Sequence, residues 1–429
     1  MEPSSGPESV SVADFVLENI GLLATPMGPG PRVGAGAGEL RLLKNATIAA
    51  ASGRIVFVGS SRDFTAPPGL RVLDAQGGAV VPGFVDAHTH LAFAGDRDSE
   101  ITRRLAGATY KEIADGGGGI VKTVTSTRAA SREELETMIL RHLDEMLACG
   151  TTTAEVKSGY GLERGAEIRA LEAIRGAASR HAVTVVPTFL GAHEVPEEHR
   201  SHRERYLESL IEEMIPEVAR LKLASFCDVF CEQGVFSVGE SRRILEAARR
   251  YGLLLRIHAD ELGDTGGAEL AAALGARSAD HLIHVSKRGA AALAEAACVA
   301  TLLPSAAFYL RLGRFAPARE LIETGVPVGL GTDVNPGGGL SPSMPFAMTL
   351  ACFAMGLSLE EALTAATLNA AFSLDLSGDV GSLEVGKRAD LVVLRSSRLL
   401  DLLRIGVPAI RLVIKNGRVV SGSDVRTAP

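Results

Sequence analysis

The chain has 429 residues, 46% of them hydrophobic and 22% charged, with a formal net charge of −7. This describes an ordinary soluble globular protein with ample core, long enough for one barrel plus an appended module. The acidic balance argues against nucleic acid or an anionic membrane surface as partner, so an anionic small substrate has to be met by local positive charge.

The N-terminal MEPSSGPESVS has neither a basic n-region nor an apolar h-region, and residues 1–12 read as a frayed leader rather than a signal peptide. From Asp14 to Leu73, short apolar stretches (FVLENIGLLAT, LRLLKNATIAA, GRIVFVG) alternate with Gly/Pro-rich punctuation such as Pro26–Gly38. That texture predicts short strands. It returns in GSLEVGKRADLVVL and IRLVIKNGRVVSG near the C-terminus. The expectation is a small β-sandwich assembled from residues 1–81 and 376–429, with residues 82–375 inserted between them.

The inserted region changes to strands alternating with helices. The expected strands are Gly83–His88, Thr152–Lys157, Thr184–Leu190, Cys227–Cys231, Leu253–His258, Ser278–Ile283, Ala300–Leu303 and Val326–Gly331. Between them the pattern predicts helices over Ser131–Ala148, Gly165–Arg180, Arg203–Ala219, Val238–Tyr251, Gly266–Leu274, Lys287–Ala296 and Ala316–Thr324. The first of these opens on a Ser131-x-x-Glu134 capping signal. The fold class is therefore α/β, a (β/α)8 TIM-like barrel, whose chemistry gathers at the C-terminal ends of its strands.

Polar residues stand at those ends. His88 and His90 close the first strand two residues apart, on one face, and are half of a four-ligand metal site. A lone histidine would read as a core residue; the His-x-His pair does not. His258 ends the fifth strand and Asp333 the eighth. Together they make a His3Asp set with an open position for water, suited to zinc or iron. Asp333 by itself would read equally well as a helix cap. His281, ending the sixth strand, is placed to orient the water or stabilise an oxyanion, Glu261 to shuttle a proton, and His284 reads as structural.

In this order, His88-Thr89-His90, His258, His281 and Asp333 resemble the amidohydrolase superfamily. HTHLAFAGDRDSE, KSGYGL (157–162), TFLGAH (188–193), HADE (258–261), ADHL (279–282) and GTDVNPG (331–337) resemble, within it, the imidazolonepropionase family. The resemblance covers about 40 to 420. It implies a metal-dependent barrel, one divalent ion (Zn or Fe), a homodimer, and hydrolysis of 4-imidazolone-5-propanoate to N-formimidoyl-L-glutamate. The metal ligands would be His88, His90, His258 and Asp333, and the catalytic groups Glu261, His281 and Asp333. Substrate contacts would come from Arg97, Tyr160, His193, Glu261, Asn335, Gly337 and Gly338. Arg97 would meet a carboxylate or ring oxygen with paired hydrogen bonds; without the resemblance it could equally be a surface ion pair, and Tyr160 and His193 core residues. Gly338-Gly339-Leu340 departs from the family, which often has a hydroxyl residue there; Ser341 is the nearest substitute.

Other features read more plainly. Gly116–Gly119 is no P-loop, since Val121 stands where glycine is required, and is a candidate lid. Lys157 falls on the second strand, not the fourth, which argues against a carboxylated lysine bridging two metals. Glu232 is the remaining candidate for a second metal, but one metal is favoured. The five cysteines are odd in number and scattered, which predicts free thiols in a reducing compartment, with Cys227 and Cys231 as buried small hydrophobes. No apolar run approaches the ~20 residues of a membrane span, so the expected location is the cytoplasm. The alternatives are another cyclic amide or amidine hydrolase or deaminase of the superfamily, or a non-catalytic scaffold on the same barrel.

Overall fold

The computed structural model describes residues 13–66, 70, 72–108, 112 and 118–422. The leader therefore lies outside the described residues, as do Gly116 and Gly117 of the candidate lid.

Among the described residues, sixteen strands form two sheets. The first is built from both chain ends. Strands β1 (Phe15–Thr25), β2 (Arg41–Ala51), β3 (Arg54–Ser60), β4 (Val72–Asp74) and β5 (Ala79–Pro82) come from the N-terminal side, and β14 (Leu391–Leu394), β15 (Ile410–Lys415) and β16 (Arg418–Gly422) from the C-terminal side. Their order is β16-β15-β14-β5-β1-β2-β3, with β4 paired to the start of β1. Antiparallel pairing of β14 with β5, Val392 opposite Val81, joins the two ends of the chain. One apolar cluster draws on Leu17, Ile20 and Ile48 from one end and Leu391, Val393 and Ile414 from the other. The two chain ends thus build the expected β module, as one continuous sheet with its own apolar cluster.

The second sheet holds β6 (Phe84–Asp86), β7 (Thr151–Lys157), β8 (Thr184–Ala192), β9 (Phe226–Cys231), β10 (Leu254–Ala259), β11 (Ser278–His281), β12 (Val299–Leu302) and β13 (Val328–Leu330). They lie in sequence order, all parallel. All eight expected strands are present, and helices occupy every interval where one was expected, with a π-turn at Leu210–Met214 inside the third. The Ser131–Glu134 capping box has both arms in place.

Between β13 and β6 the barrel closes by different means. Thr332 donates to the buried Asp86 carboxylate from its backbone N–H (3.0 Å) and its hydroxyl (2.5 Å). Asp333 N–H donates to the His88 carbonyl at 3.0 Å, and His90 N–H to that of Val334 at 2.9 Å. Gly331 permits the approach, since a Cβ there would lie 2.9 Å from His88 Cβ. This seam brings the His-x-His segment and Asp333 side by side. The sequence reading anticipated no helix after the eighth strand; Met344–Met355 and Leu359–Ser373 pack there, the latter through a π-turn.

Candidate active site

Most of the polar residues singled out from the sequence lie at or just beyond the C-terminal end of a barrel strand, whereas Arg97 stands at the start of the helix Asp98–Leu105. His88 and His90 follow β6, Tyr160 follows β7, His193 follows β8, His258 lies in β10, His281 ends β11 and Asp333 follows β13. His281 (φ 74°) and Asp333 (φ 54°) hold left-handed backbone conformations. Such conformations cost about 1–3 kcal/mol each in non-glycine residues and are retained where the surroundings enforce them.

Donor atoms converge in two groups that share His88: His88, His90 and Asp333 in one, and His88, His258 and His281 in the other. His88 Nε2 lies 3.2 Å from His90 Nε2, which lies 3.3 Å from His258 Nε2. Asp333 Oδ1 is 3.4 Å from His90 Nε2 and 3.6 Å from His88 Nε2. Ligands about 2.0–2.2 Å from a tetrahedral zinc stand roughly 3.3–3.6 Å apart, so the spacing fits a metal. The chemistry of the donors fits as well. His88 Nδ1 lies 2.7 Å from Asp280 Oδ2, so Nδ1 carries the proton and Nε2 offers its lone pair. Burial first, then Lys157 and the neighbouring imidazoles, holds His88 well below the usual imidazole range. Burial also depresses His90, with His193 and His258 beside it. Asp333 Oδ1 is buried with no hydrogen-bond partner. Burial and then the Glu261 charge push the Asp333 carboxyl well above its normal range; a divalent cation would be the largest local charge and would reverse that preference.

Beneath these donors lies a layer of buried charge that the sequence reading missed. Asp228 Oδ2 is 3.0 Å from His258 Nδ1, and Asp228 Oδ1 accepts the His258 backbone N–H. Lys157 Nζ donates to Glu155 and Asp228, both at 2.7 Å. Arg256 donates to Asp280 Oδ2 at 3.1 Å and to the Ala87 carbonyl at 2.8 Å. All five side chains are excluded from solvent. The available signal was charge within the barrel strands: Glu155 and Lys157 on β7, Asp228 on β9, Arg256 on β10 and Asp280 on β11.

Above the donors a pocket is lined by Arg97, Tyr160, His193, Glu261 and His281, with an apolar wall that includes Phe230 and Leu310. Arg97 is 4% exposed. Its Nε donates to Glu100 at 2.7 Å, while Nη2 has no partner. Glu100 is held in turn by the Gly119 N–H at 2.9 Å. His193 stacks on His90 with centroids 5.0 Å apart. Its Nδ1 lies 3.0 Å from the Gly159 carbonyl, so Nδ1 donates and Nε2 is left as an acceptor. Burial and then His258 lower His193 to about 3, so the ring is neutral. Glu261 is raised to about 8, by burial and then by Glu232, and its Oε1 lies 3.6 Å from His281 Nδ1.

The loop after β13 brings Asn335, Gly337 and Gly338 to the pocket wall. Asn335 Oδ1 accepts from the Gly337 and Gly338 N–H groups at 2.8 and 2.6 Å, and its amide donates to the Asp333 carbonyl at 2.7 Å. These bonds brace the turn itself. Gly337 also makes room: a Cβ there would stand 2.0 Å from Arg97 Nη1. The Ser341 hydroxyl accepts from the Ser343 N–H. Glu232 accepts from the Gln233 and Leu262 N–H groups, and His284 sits against Arg314 away from the cluster. Cys227 and Cys231 are buried and unpaired.

Residues 79–421 match the model of the Amidohydrolase family. Fold likeness runs to the E. coli guanine deaminase (TM-score 0.73, 20% identity, 96% of this chain and 100% of that one). A zinc-bound adenosine deaminase from Xanthomonas campestris is similar (TM-score 0.71, 19% identity, 95% and 93%). The chain belongs to the amidohydrolase family. Within it, the chain falls among the imidazolonepropionases: the one from Symbiobacterium thermophilum is 51% identical over 95% of this chain and 97% of its own length. That from Rubrobacter xylanophilus is 49% identical over 90% and 93%.

Proposed function

We propose that this chain hydrolyses 4-imidazolone-5-propanoate to N-formimidoyl-L-glutamate, the third step of histidine degradation, with one zinc or iron ion held by His88, His90, His258 and Asp333. The observation that carries the reading is the unpaired Nη2 of buried Arg97 in the same pocket as His90, His258 and Asp333. Arg97 takes the propionate carboxylate by a charge-assisted hydrogen bond. Tyr160 and the acceptor Nε2 of His193 face the ring, a lone pair there suiting a ring N–H. Asn335, Gly337 and Gly338, in the lining of the same pocket, add substrate contacts from the loop that frames Arg97.

A bound divalent ion supplies Lewis acidity and lowers the pKa of water from 15.7 to about 7. The remaining work falls to side chains. As the water oxygen adds to the ring carbonyl carbon, Asp333 takes its proton and His281 donates to the developing oxyanion. The ring C–N bond then breaks, and the departing nitrogen takes the proton from Asp333. One water is consumed and no other reactant is needed. Glu261, protonated up to about pH 8, exchanges a proton with the ring as its tautomer changes.

The same reading assigns residues 1–81 and 376–429 to the small domain and 82–375 to the barrel, and takes the protein as a cytoplasmic homodimer. Among the described residues no helix is long and apolar enough to cross a membrane. Purified, metal-loaded protein should open the ring and yield N-formimidoyl-L-glutamate, with metal analysis choosing zinc or iron. Ammonia release without ring opening would overturn the reading in favour of a deaminase.

A further inference from the structure

We infer that Lys157 is a positioning residue for the metal site, acting on His258 chiefly through Asp228. Lys157 touches no atom of the pocket. Its ammonium is fully buried at the end of β7, and such a group persists only with carboxylates around it. It has two at 2.7 Å, Glu155 and Asp228, and a third, Asp280, at 4.0 Å.

Each of those carboxylates leads on to the donor cluster. Asp228 accepts the His258 backbone N–H at 3.2 Å, and its Oδ2 lies 3.0 Å from His258 Nδ1, an ion-pair contact outside hydrogen-bond geometry. Glu155 Oε2 accepts the N–H of Thr89, the residue between His88 and His90, at 3.2 Å. The Thr89 carbonyl in turn accepts the Lys157 backbone N–H at 3.0 Å, and the Thr89 hydroxyl donates to the Glu155 carbonyl at 2.6 Å. Asp280 holds His88 Nδ1 at 2.7 Å. One ammonium therefore joins the supports of residues on two different strands. The path through Asp228 is the most direct, since one Asp228 oxygen, Oδ2, meets both Lys157 Nζ and the His258 ring.

A carboxylate that backs a metal-bound imidazole fixes its tautomer and aims its lone pair, and losing such a support typically lowers metal affinity about 10–100-fold. Without Lys157, Asp228 keeps the Val229 and His258 N–H groups on Oδ1 but loses the cation that holds Oδ2 beside the His258 ring. A charge cluster that merely fills the barrel floor would lower stability on mutation and leave the affinity of the folded protein unchanged. The two roles are therefore separable.

The inference rests on the four-residue metal site proposed above, and the test separates the two. Zinc(II) affinity is measured by competition with a chromophoric chelator for the full-length wild type, Lys157→Met, Asp228→Asn and the double variant. Wild type binds zinc, and each single variant binds it about 10–100-fold more weakly. The double variant is no weaker than Asp228→Asn alone, because effects along one path do not add. At saturating zinc, KM for the substrate stays within about twofold, since Arg97 and the pocket wall are untouched. Lys157→Met with wild-type affinity overturns the inference, as does a double variant at least about tenfold weaker than Asp228→Asn. If Lys157→Met does not fold, the double variant, which removes one buried charge of each sign, carries the comparison. A wild type that fails to bind zinc overturns the site reading itself.

Discussion

Replacing Arg97 with alanine tests how the pocket captures substrate. The guanidinium is 4% exposed, commits Nε to Glu100 and leaves Nη2 unpaired beside the pocket. A hydrogen bond to a charged group contributes about 1.5–3 kcal/mol, and the upper end applies where both partners are out of water. About 3 kcal/mol corresponds to a factor near 10². Arg97→Ala should therefore raise KM about 100-fold with kcat within a few-fold. Glu100 would keep the Gly119 N–H but lose its cation, so stability falls too. Arg97→Lys, which keeps the charge and loses the fork, should lie between. Steady-state kinetics on 4-imidazolone-5-propanoate and on its side-chain amide provide the assay. The amide should be poor for wild type, whereas Arg97→Ala should no longer distinguish the two. Unchanged KM and kcat, or an undiminished preference for the acid, would refute the carboxylate role.

Gly337→Ala places a Cβ 2.0 Å from Arg97 Nη1 and should displace the guanidinium; KM rises at least tenfold, with metal content unchanged on elemental analysis. Glu261, raised to about 8, stays protonated across neutral pH, so kcat/KM should fall as pH passes about 8. Glu261→Gln should lower activity and abolish that limb of the pH–rate profile. The same shift has a stability consequence: the folded pKa lies above the unfolded one, so the contribution is present below about 4.5 and lost by about 8. Chemical denaturation of Glu261→Gln across that window should show a shallower alkaline decline. Thr332→Val removes the hydroxyl donor to buried Asp86 at the barrel seam. It should cost about 2 kcal/mol and lower Tm by a few degrees in calorimetry, while an unchanged Tm would mean the seam is held elsewhere.

Much of this protein is legible along the chain because its signals are local. An apolar run ending in His-x-His, and later ones ending in His258, His281 and Asp333, mark strand termini through backbone periodicity alone. In a parallel barrel all those termini share one face. That much needs no coordinates. The β module was legible for a related reason: both ends carry the same strand texture, although the Val392–Val81 pairing that joins them needed the fold.

What tertiary structure decided is the partner of each polar group. Lys157 and Asp228 are 71 residues apart, and His88 and Asp280 are 192 apart. Sequence spacing carries no record of such contacts, because they form only when separate strands close around a common interior. Asn335 makes the same point: its place in a recognisable motif suggested a ligand contact, and only the fold showed that its amide also braces the loop at the pocket wall. Residue type and position set what each side chain can offer. Packing, which leaves a buried charge no alternative to its nearest counter-charge, decides where the offer is taken up.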